Sequence, residues 1–314
     1  MNRIIISGET DPYFNLALEE ELLYSCAHEK PAAGYSRKED TVLYLWQNKN
    51  TVVIGRNQNP YSECCLDYLR RNNICLARRL SGGGAVYHDL GNLNYTFLAP
   101  SHIMDRPKQT QVICRAVEAL GIPCCFSGRN DLLYHGRKFS GQAFYTDDGA
   151  SYHHGTILVQ VDLDTMEMAL RPSPVKLSSK GITSVKSRVV NLADIRDGLD
   201  IGMVAEAVIN SFRDLFGSSH DPEPISRSTR LPAAYETYSS SLWTLGNCPS
   251  YSASMDIALA GGIFRVEADV RMGVISRAIV YSDVLEKFDG SRAGAALEGC
   301  LFQEQEIRNV LECV

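Results

Sequence analysis

Behind the Asp11-Pro12 pair, Phe14, Leu18 and Leu22 recur at helical spacing, and this pattern predicts a helix over residues 15–25 with Asp11 as its N-cap. Residues 41–47 and 51–55 are short β-branched and aromatic runs, and Asn48-Lys49-Asn50 between them predicts a hairpin. A helical stretch follows near 62–72, then strands over 74–78, 85–88 and 92–98, then a helix over 107–120 closed by Gly121. Strands at 132–134 and 138–145 flank a His135-Gly136 turn, and 156–161 is a further apolar strand.

Helical patterning returns over 203–216 and stops at Gly217. Helices and hairpins are mixed without regular βαβ alternation, so the pattern predicts an α+β fold with a mixed sheet and excludes a Rossmann fold. Pro, Ser and Thr accumulate between His220 and Pro249, as in a connection between domains. The expected boundary divides a domain at 1–245 from a small α+β domain at 246–314. In the second part, Phe264, Val266, Ala268 and Val270 alternate with charged residues, and a partner strand over 274–281 follows Met272-Gly273. Helices near 292–301 and 304–311 would cover the apolar face of that hairpin.

Composition narrows the function classes. Of 314 residues 45% are hydrophobic and 22% charged, which excludes a disordered or collagen-like chain. The formal charge of -6 gives no bulk positive field for nucleic acid or an anionic membrane. Apolar runs are too short to span a bilayer or form a signal-peptide core, and a cytoplasmic location is expected. The ten Cys include no Cys-x-x-Cys pair and read as reduced structural thiols.

The densest chemical signal is Arg78-Arg79-Leu80-Ser81-Gly82-Gly83-Gly84-Ala85-Val86-Tyr87-His88. Three glycines let backbone approach a ligand closely and can turn N–H groups toward an anion; a flexible surface loop is the competing reading. The run is neither Gly-x-Gly-x-x-Gly nor a P-loop. A second cluster, Asn130-Asp131 and Lys138, would lie on one hairpin, with Asp131 as a Mg²⁺ ligand candidate and Lys138 as a cation for ligand oxygens. From spacing alone an ordinary exposed hairpin carrying a surface ion pair is favoured over a site. Residues 171–193 carry Arg171, Lys176, Lys180, Lys186 and Arg188 and contain no Asp or Glu. Either a loop closing over a polyanion or a solvated basic loop fits that stretch. His153-His154 lacks Cys or Glu at ligand spacing, which favours packing or orientation over metal binding.

Together with Lys138-Phe139-Ser140-Gly141, His153-His154-Gly155-Thr156 and Lys180-Gly181-Ile182-Thr183-Ser184-Val185-Lys186-Ser187-Arg188, these motifs resemble lipoate-protein ligases. Asp11-Pro12-Tyr13-Phe14-Asn15-Leu16-Ala17, Leu45-Trp46-Gln47-Asn48 and the run from Val52 to Pro60 extend the resemblance over nearly the whole chain. It implies a catalytic domain shared with biotin-protein ligases, followed by a small C-terminal domain. The implied activity uses ATP and Mg²⁺ to convert lipoate to lipoyl-AMP and passes the lipoyl group to a lysine. The implied acceptors are lipoyl domains of 2-oxoacid dehydrogenase E2 subunits and the glycine cleavage H protein, with no tightly bound prosthetic group and no nucleic-acid or membrane partner.

By the same resemblance, Arg79, Gly84, Ala85, Val86, Tyr87 and Lys138 bind ATP, and on physical grounds Lys180 of the basic loop is assigned to closing over the nucleotide. Trp46, Ser81, Gly82, Gly83, Lys138 and His154 lie along lipoate, and Lys138 is the catalytic cation. Asp131, with Asn130, holds the metal or orients Lys138. No Ser-His or Cys-His arrangement is recognisable, and an adenylate needs none, being itself the activated acyl group. Two rivals remain: an ATP-independent acyltransferase of the same fold, and a non-catalytic lipoate- or nucleotide-binding protein.

Overall fold

The computed structural model describes residues 2–27, 40–127, 130–170, 188–217, 221–245, 253–271 and 273–314. The fold is a mixed α+β architecture built on an eight-stranded sheet. Its early elements are β1 (Arg3–Ser7), α1 (Pro12–Ala27), β2 (Val42–Trp46), β3 (Thr51–Ile54), α2 (Pro60–Glu63), α3 (Leu66–Arg71), β4 (Cys75–Arg78), β5 (Val86–His88) and β6 (Asn92–Pro100). Then come α4 (Arg106–Ala119), β7 (Cys125–Phe126), β8 (Asp131–Tyr134), β9 (Arg137–Asp147), β10 (Ala150–Leu158), α5 (Leu163–Ala169), α6 (Ile201–Phe216) and β11 (Glu223–Ile225).

The large sheet runs β11-β1-β2-β6-β10-β9-β8-β7, with β1 parallel to both β2 and β11 and the remaining pairs antiparallel. A separate sheet of order β4-β3-β5 packs nearby. Alternation along the strands decides which face each residue serves. Leu43, Leu45, Leu93, Tyr95 and Phe97 join Val112, Ile113 and Phe212 of α4 and α6 in one core. Val42, Tyr44 and Trp46 join Phe14, Leu18 and Leu22 of α1 on the opposite face.

The expected hairpin between 41–47 and 51–55 does not form: β2 pairs with β1 and β6, and β3 pairs with β4 and β5. Both edges of β2 are occupied, and the connection is tied to the start of α1 instead. Lys49 N–H donates to Thr10 O at 3.0 Å, and buried Asn15 donates to Gln47 O at 2.8 Å. The stretch expected as a helix near 62–72 is two short helices, because Cys64 makes a bridge to Leu170 and the Cys65 N–H donates to Ala169 O.

Helix ends follow their capping chemistry. Asp105 accepts from Lys108 N–H at the start of α4, and Asp200 accepts from Met203 N–H at the start of α6. Gly217 closes α6 at φ 70°, a conformation that costs any other residue more.

The C-terminal part has its own sheet of β12 (Ala253–Leu259), β13 (Gly262–Arg271) and β14 (Val274–Ser282), all antiparallel. Strand β12 lies outside the predicted elements. Helices Gly290–Leu297 and Glu304–Leu311 cover it, and Val266, Val280, Ala293, Leu297 and Ile307 form a separate core. Residues 246–252, where the boundary was expected, lie outside the described residues. No helix among the described residues is long and apolar enough to cross a membrane.

Candidate active site

A cleft lies between the α1-side face of the large sheet and the small β4-β3-β5 sheet, with Trp46, Val53, Val86, Lys138 and His154 in its walls. Register explains its length. Trp46 pairs with Asn94, Asn94 with Thr156, and Asp131 with Gly141, while Gly141 N–H donates to Thr156 Oγ1 at 3.3 Å. The cleft therefore crosses five strands, and four strand spacings of about 4.8 Å put its ends roughly 19 Å apart.

One end is charged. Lys138 Nζ lies 2.7 Å from Asp131 Oδ1, and Arg188 bonds Asp131 Oδ2. Strand β9 presents Lys138 on this face because of a bulge: Leu132 pairs with Ser140 and Leu133 with Lys138, leaving Phe139 unpaired. The extra residue reverses the side-chain parity of β9, so Phe139 enters the α4-side core and Lys138 joins Asp131. Gly141 completes the arrangement, since a Cβ there would lie about 2.5 Å from Lys138 Nζ. The motif Lys138-Phe139-Ser140-Gly141 is thus one geometric device.

Both oxygens of Asp131 face cations, and the Asn130 amide donates to Gln142 O at 3.2 Å. No group of three His, Cys, Asp or Glu side chains able to hold a metal occurs among the described residues. This donor set does not fit a protein-held metal ion, and supports the orienting role for Asp131.

The glycine run forms the rim. Arg79 is buried and holds the turn from within: its guanidinium donates to Val53 O, Gly82 O, Gly84 O and Ser81 Oγ. Burial lowers its pKa to about 10, still leaving it cationic at neutral pH. Arg78 is structural, donating to Gly55 O, Gln58 O, Trp243 O and Thr244 O. Gly83, Gly84, Ala85 and Val86 line the cleft, whereas Tyr87 alternates away into the core around Val52 and Ile54. The small domain meets the same turn: Gly83 N–H donates to Val284 O at 2.9 Å, and Ser282 N–H donates to Asn57 O at 2.8 Å.

A buried hydrogen-bonded chain, invisible in the sequence, organises the remaining wall. Trp46 Nε1 donates to Thr96 Oγ1 at 3.0 Å, and Thr96 donates to Glu19 Oε1 at 2.6 Å. His154 Nδ1 meets the same Glu19 oxygen at 2.9 Å, and its Nε2 meets Ser81 Oγ at 2.8 Å. A Ser-His-Glu chain is therefore present although none was expected. Ser81 is fully buried and also accepts from Arg79 Nε, so the chain anchors the glycine turn and does not present a nucleophile to the cleft.

The other end is apolar, bounded by Trp46, Leu16 and Val53. His88 is buried there, and burial with the nearby Arg79 and His154 lowers its pKa to about 3, so it is neutral. His153 faces the opposite core, where its Nδ1 meets Gln109 Oε1 at 3.1 Å, and burial lowers it likewise to about 3. Sequence reasoning missed Glu19 and Asn94, and gave no role to His88 although it closes the glycine run; the only signals were polar residues at apolar positions of a helix and two strands. Lys180 and most of the basic stretch, residues 171–187, together with Gly128 and Arg129, lie outside the described residues.

Residues 11–213 match the family described as the lipoyl protein ligase A/B catalytic domain, and residues 248–314 match the bacterial lipoate protein ligase C-terminus. Among solved structures, P. falciparum LipL1 in complex with lipoate superposes with a TM-score of 0.81 at 24% identity, covering 100% of this chain and 95% of its own. At that identity the likeness is one of fold. A bi-partite lipoate protein ligase from T. acidophilum, described together with its E2 lipoyl domain, is 26% identical with a TM-score of 0.67, covering 80% of this chain and 99% of its own. A lipoate-protein ligase A bound with ATP is 26% identical with a TM-score of 0.65, covering 78% of this chain and 98% of its own.

Proposed function

Because this chain belongs to the lipoyl protein ligase A/B family, we propose that it activates lipoate with ATP to lipoyl-AMP and transfers the lipoyl group to a lysine of an acceptor domain. The observation that carries the reading is the polarity of the cleft: Lys138, Asp131 and Arg188 at one end, an apolar slot beside Trp46 at the other. An extended fatty acid fits such a groove with its carboxylate toward the cations and its tail toward Trp46.

Attack of a carboxylate on the α-phosphorus brings two anions together, so the site must neutralise charge first. Lys138 meets the carboxylate and the α-phosphate, a role supported by its contact with Asp131, which directs it, and by Arg188 as a second cation on the same carboxylate. The backbone of Gly83 to Val86 approaches the nucleotide, and Arg79 supports that turn from below. Lys180 closes over the phosphates. Mg²⁺ would come with ATP as part of the co-substrate and would supply further charge neutralisation, and no described residue is assigned to hold it.

Transfer requires a neutral acceptor amine, at a cost of roughly 4.6 kcal/mol at pH 7 if its pKa is unperturbed. Lys138 lowers that cost, since a cation beside a second ammonium disfavours the charged form. The acceptors are lipoyl domains of 2-oxoacid dehydrogenase E2 subunits and the glycine cleavage H protein, and the reaction belongs to the cytoplasm.

The deciding experiment incubates an apo lipoyl domain with this protein, lipoate, ATP and Mg²⁺, and weighs the domain by mass spectrometry. The expected result is a gain of one lipoyl group with release of pyrophosphate. A lipoyl domain of unchanged mass, with no pyrophosphate formed, rejects the reading. Transfer from a preformed acyl carrier without ATP would favour the acyltransferase instead.

A further inference from the structure

We infer that Cys114 and Cys124 form a redox-reversible dithiol, a modification site at which hydrogen peroxide closes a disulfide between α4 and the start of β7 and slows the ligase reaction. Formation of the disulfide is independent of the proposed function, and its effect on rate rests on that reading.

The two sulfurs are already in contact, the Cys124 thiol donating to Cys114 Sγ at 2.8 Å across a sequence separation of 10. A disulfide bond is about 2.05 Å long, so closure asks for a further approach of roughly 0.8 Å. Helix α4 supplies Cys114, and a turn at Gly121, with φ 77°, returns the chain so that Cys124 lies beside it just before β7. Neither thiol is sealed away. Both are partly exposed at the margin of the core around Val112, Val117 and Ile122, within reach of a small oxidant. They belong to no group of three His, Cys, Asp or Glu side chains able to hold a metal among the described residues.

The contact also sets the order of the chemistry. The hydrogen bond from Cys124 holds the Cys114 thiol below its ordinary pKa, against burial and the nearby Glu118, while giving its proton to that bond raises Cys124. Cys114 is therefore the thiolate that attacks peroxide. Its sulfur takes one oxygen and becomes a sulfenic acid, and the departing hydroxide is protonated to water. Cys124 then attacks that sulfur, its proton leaves with the hydroxide as a second water, and the S–S bond forms. Two thiols and one peroxide give one disulfide and two waters, and a dithiol reductant reverses the step by exchange.

The pair lies behind the charged end of the cleft. Strand β7 pairs with β8 through Phe126 and Leu132, and Ser127 N–H donates to Asp131 O at 2.9 Å. Drawing Cys124 toward α4 therefore moves the strand that carries Asp131, whose 2.7 Å contact directs Lys138. A displacement of 1 Å in a positioned group can cost about 100-fold in rate, and the smaller shift expected here should cost roughly fivefold.

The test treats the full chain with hydrogen peroxide, blocks the remaining thiols and maps tryptic peptides. Cleavage after Arg115 separates residues 109–115 from 116–129, so the disulfide appears as these two peptides joined, and dithiothreitol should part them. The link should persist in Cys125→Ser, which removes the exposed neighbouring thiol, and vanish in Cys124→Ser. Pyrophosphate release should fall by about fivefold on oxidation, recover on reduction, and become insensitive to peroxide in Cys114→Ser. Peptides that stay apart in oxidised wild type, or remain joined in Cys124→Ser, overturn the inference whatever the ligase activity. Joined peptides with undiminished pyrophosphate release overturn the control of rate. A reduced protein that releases no pyrophosphate rejects the ligase reading and the rate effect with it, while the peptide map still decides the disulfide.

Discussion

Lys138 and Asp131 face each other at 2.7 Å because β9 contains one residue more than β8 between their paired positions. The bulge at Phe139 turns a lysine that alternation would send elsewhere onto the face of its carboxylate partner, which also holds Arg188. Asp131→Asn leaves two cations directed at one neutral amide. Acyl-adenylate formation should fall by about 10- to 100-fold while the far-ultraviolet circular dichroism spectrum stays unchanged. Steady-state pyrophosphate release reads the first quantity, and an undiminished rate would show that Lys138 needs no orienting partner.

At Gly82 a Cβ would overlap the Val284 carbonyl oxygen, so Gly82→Ala must part the glycine turn from the small domain. The expected result is a larger radius of gyration in small-angle scattering and faster proteolysis between the two parts. Gly83→Ala is a useful contrast, since at φ +88° it adds backbone strain of about 1 kcal/mol without that overlap.

His88 and His153 are both held neutral, each with its pKa lowered to about 3 by burial. In the unfolded chain each binds a proton near pH 6.5, so between about pH 6.5 and 3 the unfolded state holds more protons than the folded one. Stability contributed by their neutrality is complete above pH 6.5 and falls on acidification by up to about 1.4 kcal/mol per pH unit for each ring. Urea midpoints measured across that range should decline with falling pH, and His153→Gln should flatten the slope.

Glu19 accepts from Thr96 and meets His154 in the wall of the cleft. Glu19→Ala strands both partners in a buried setting, and unfolding free energy should drop by about 2–3 kcal/mol. Glu19→Gln keeps one acceptor oxygen and should recover part of the loss. Chemical denaturation of the two variants side by side makes the comparison.

Local patterning was sufficient for much of the fold. Helix α1 follows from Phe14, Leu18 and Leu22 behind Asp11-Pro12, α6 ends at Gly217, and the β8–β9 turn has His135 and Gly136 at φ 45° and 80°. These are decisions made within a few residues, by caps, turns and alternation. The hairpin expected between β2 and β3 failed because a long-range competitor, the pairing of β2 with β1 and β6, won both of its edges.

The sequence by itself determined the α+β class and the glycine turn and offered Lys138 and Asp131 as candidates on one hairpin, because each of these is written in adjacent residues or local patterning, whereas the bulge that brings the pair together is not. Only the tertiary structure decided that Arg79 holds the turn from within, that Ser81, His154 and Glu19 form one chain, and that burial keeps His88 neutral. Those relationships join residues up to 135 positions apart. A buried polar atom takes whatever partner packing brings to it, and the linear order of residues carries no record of that choice.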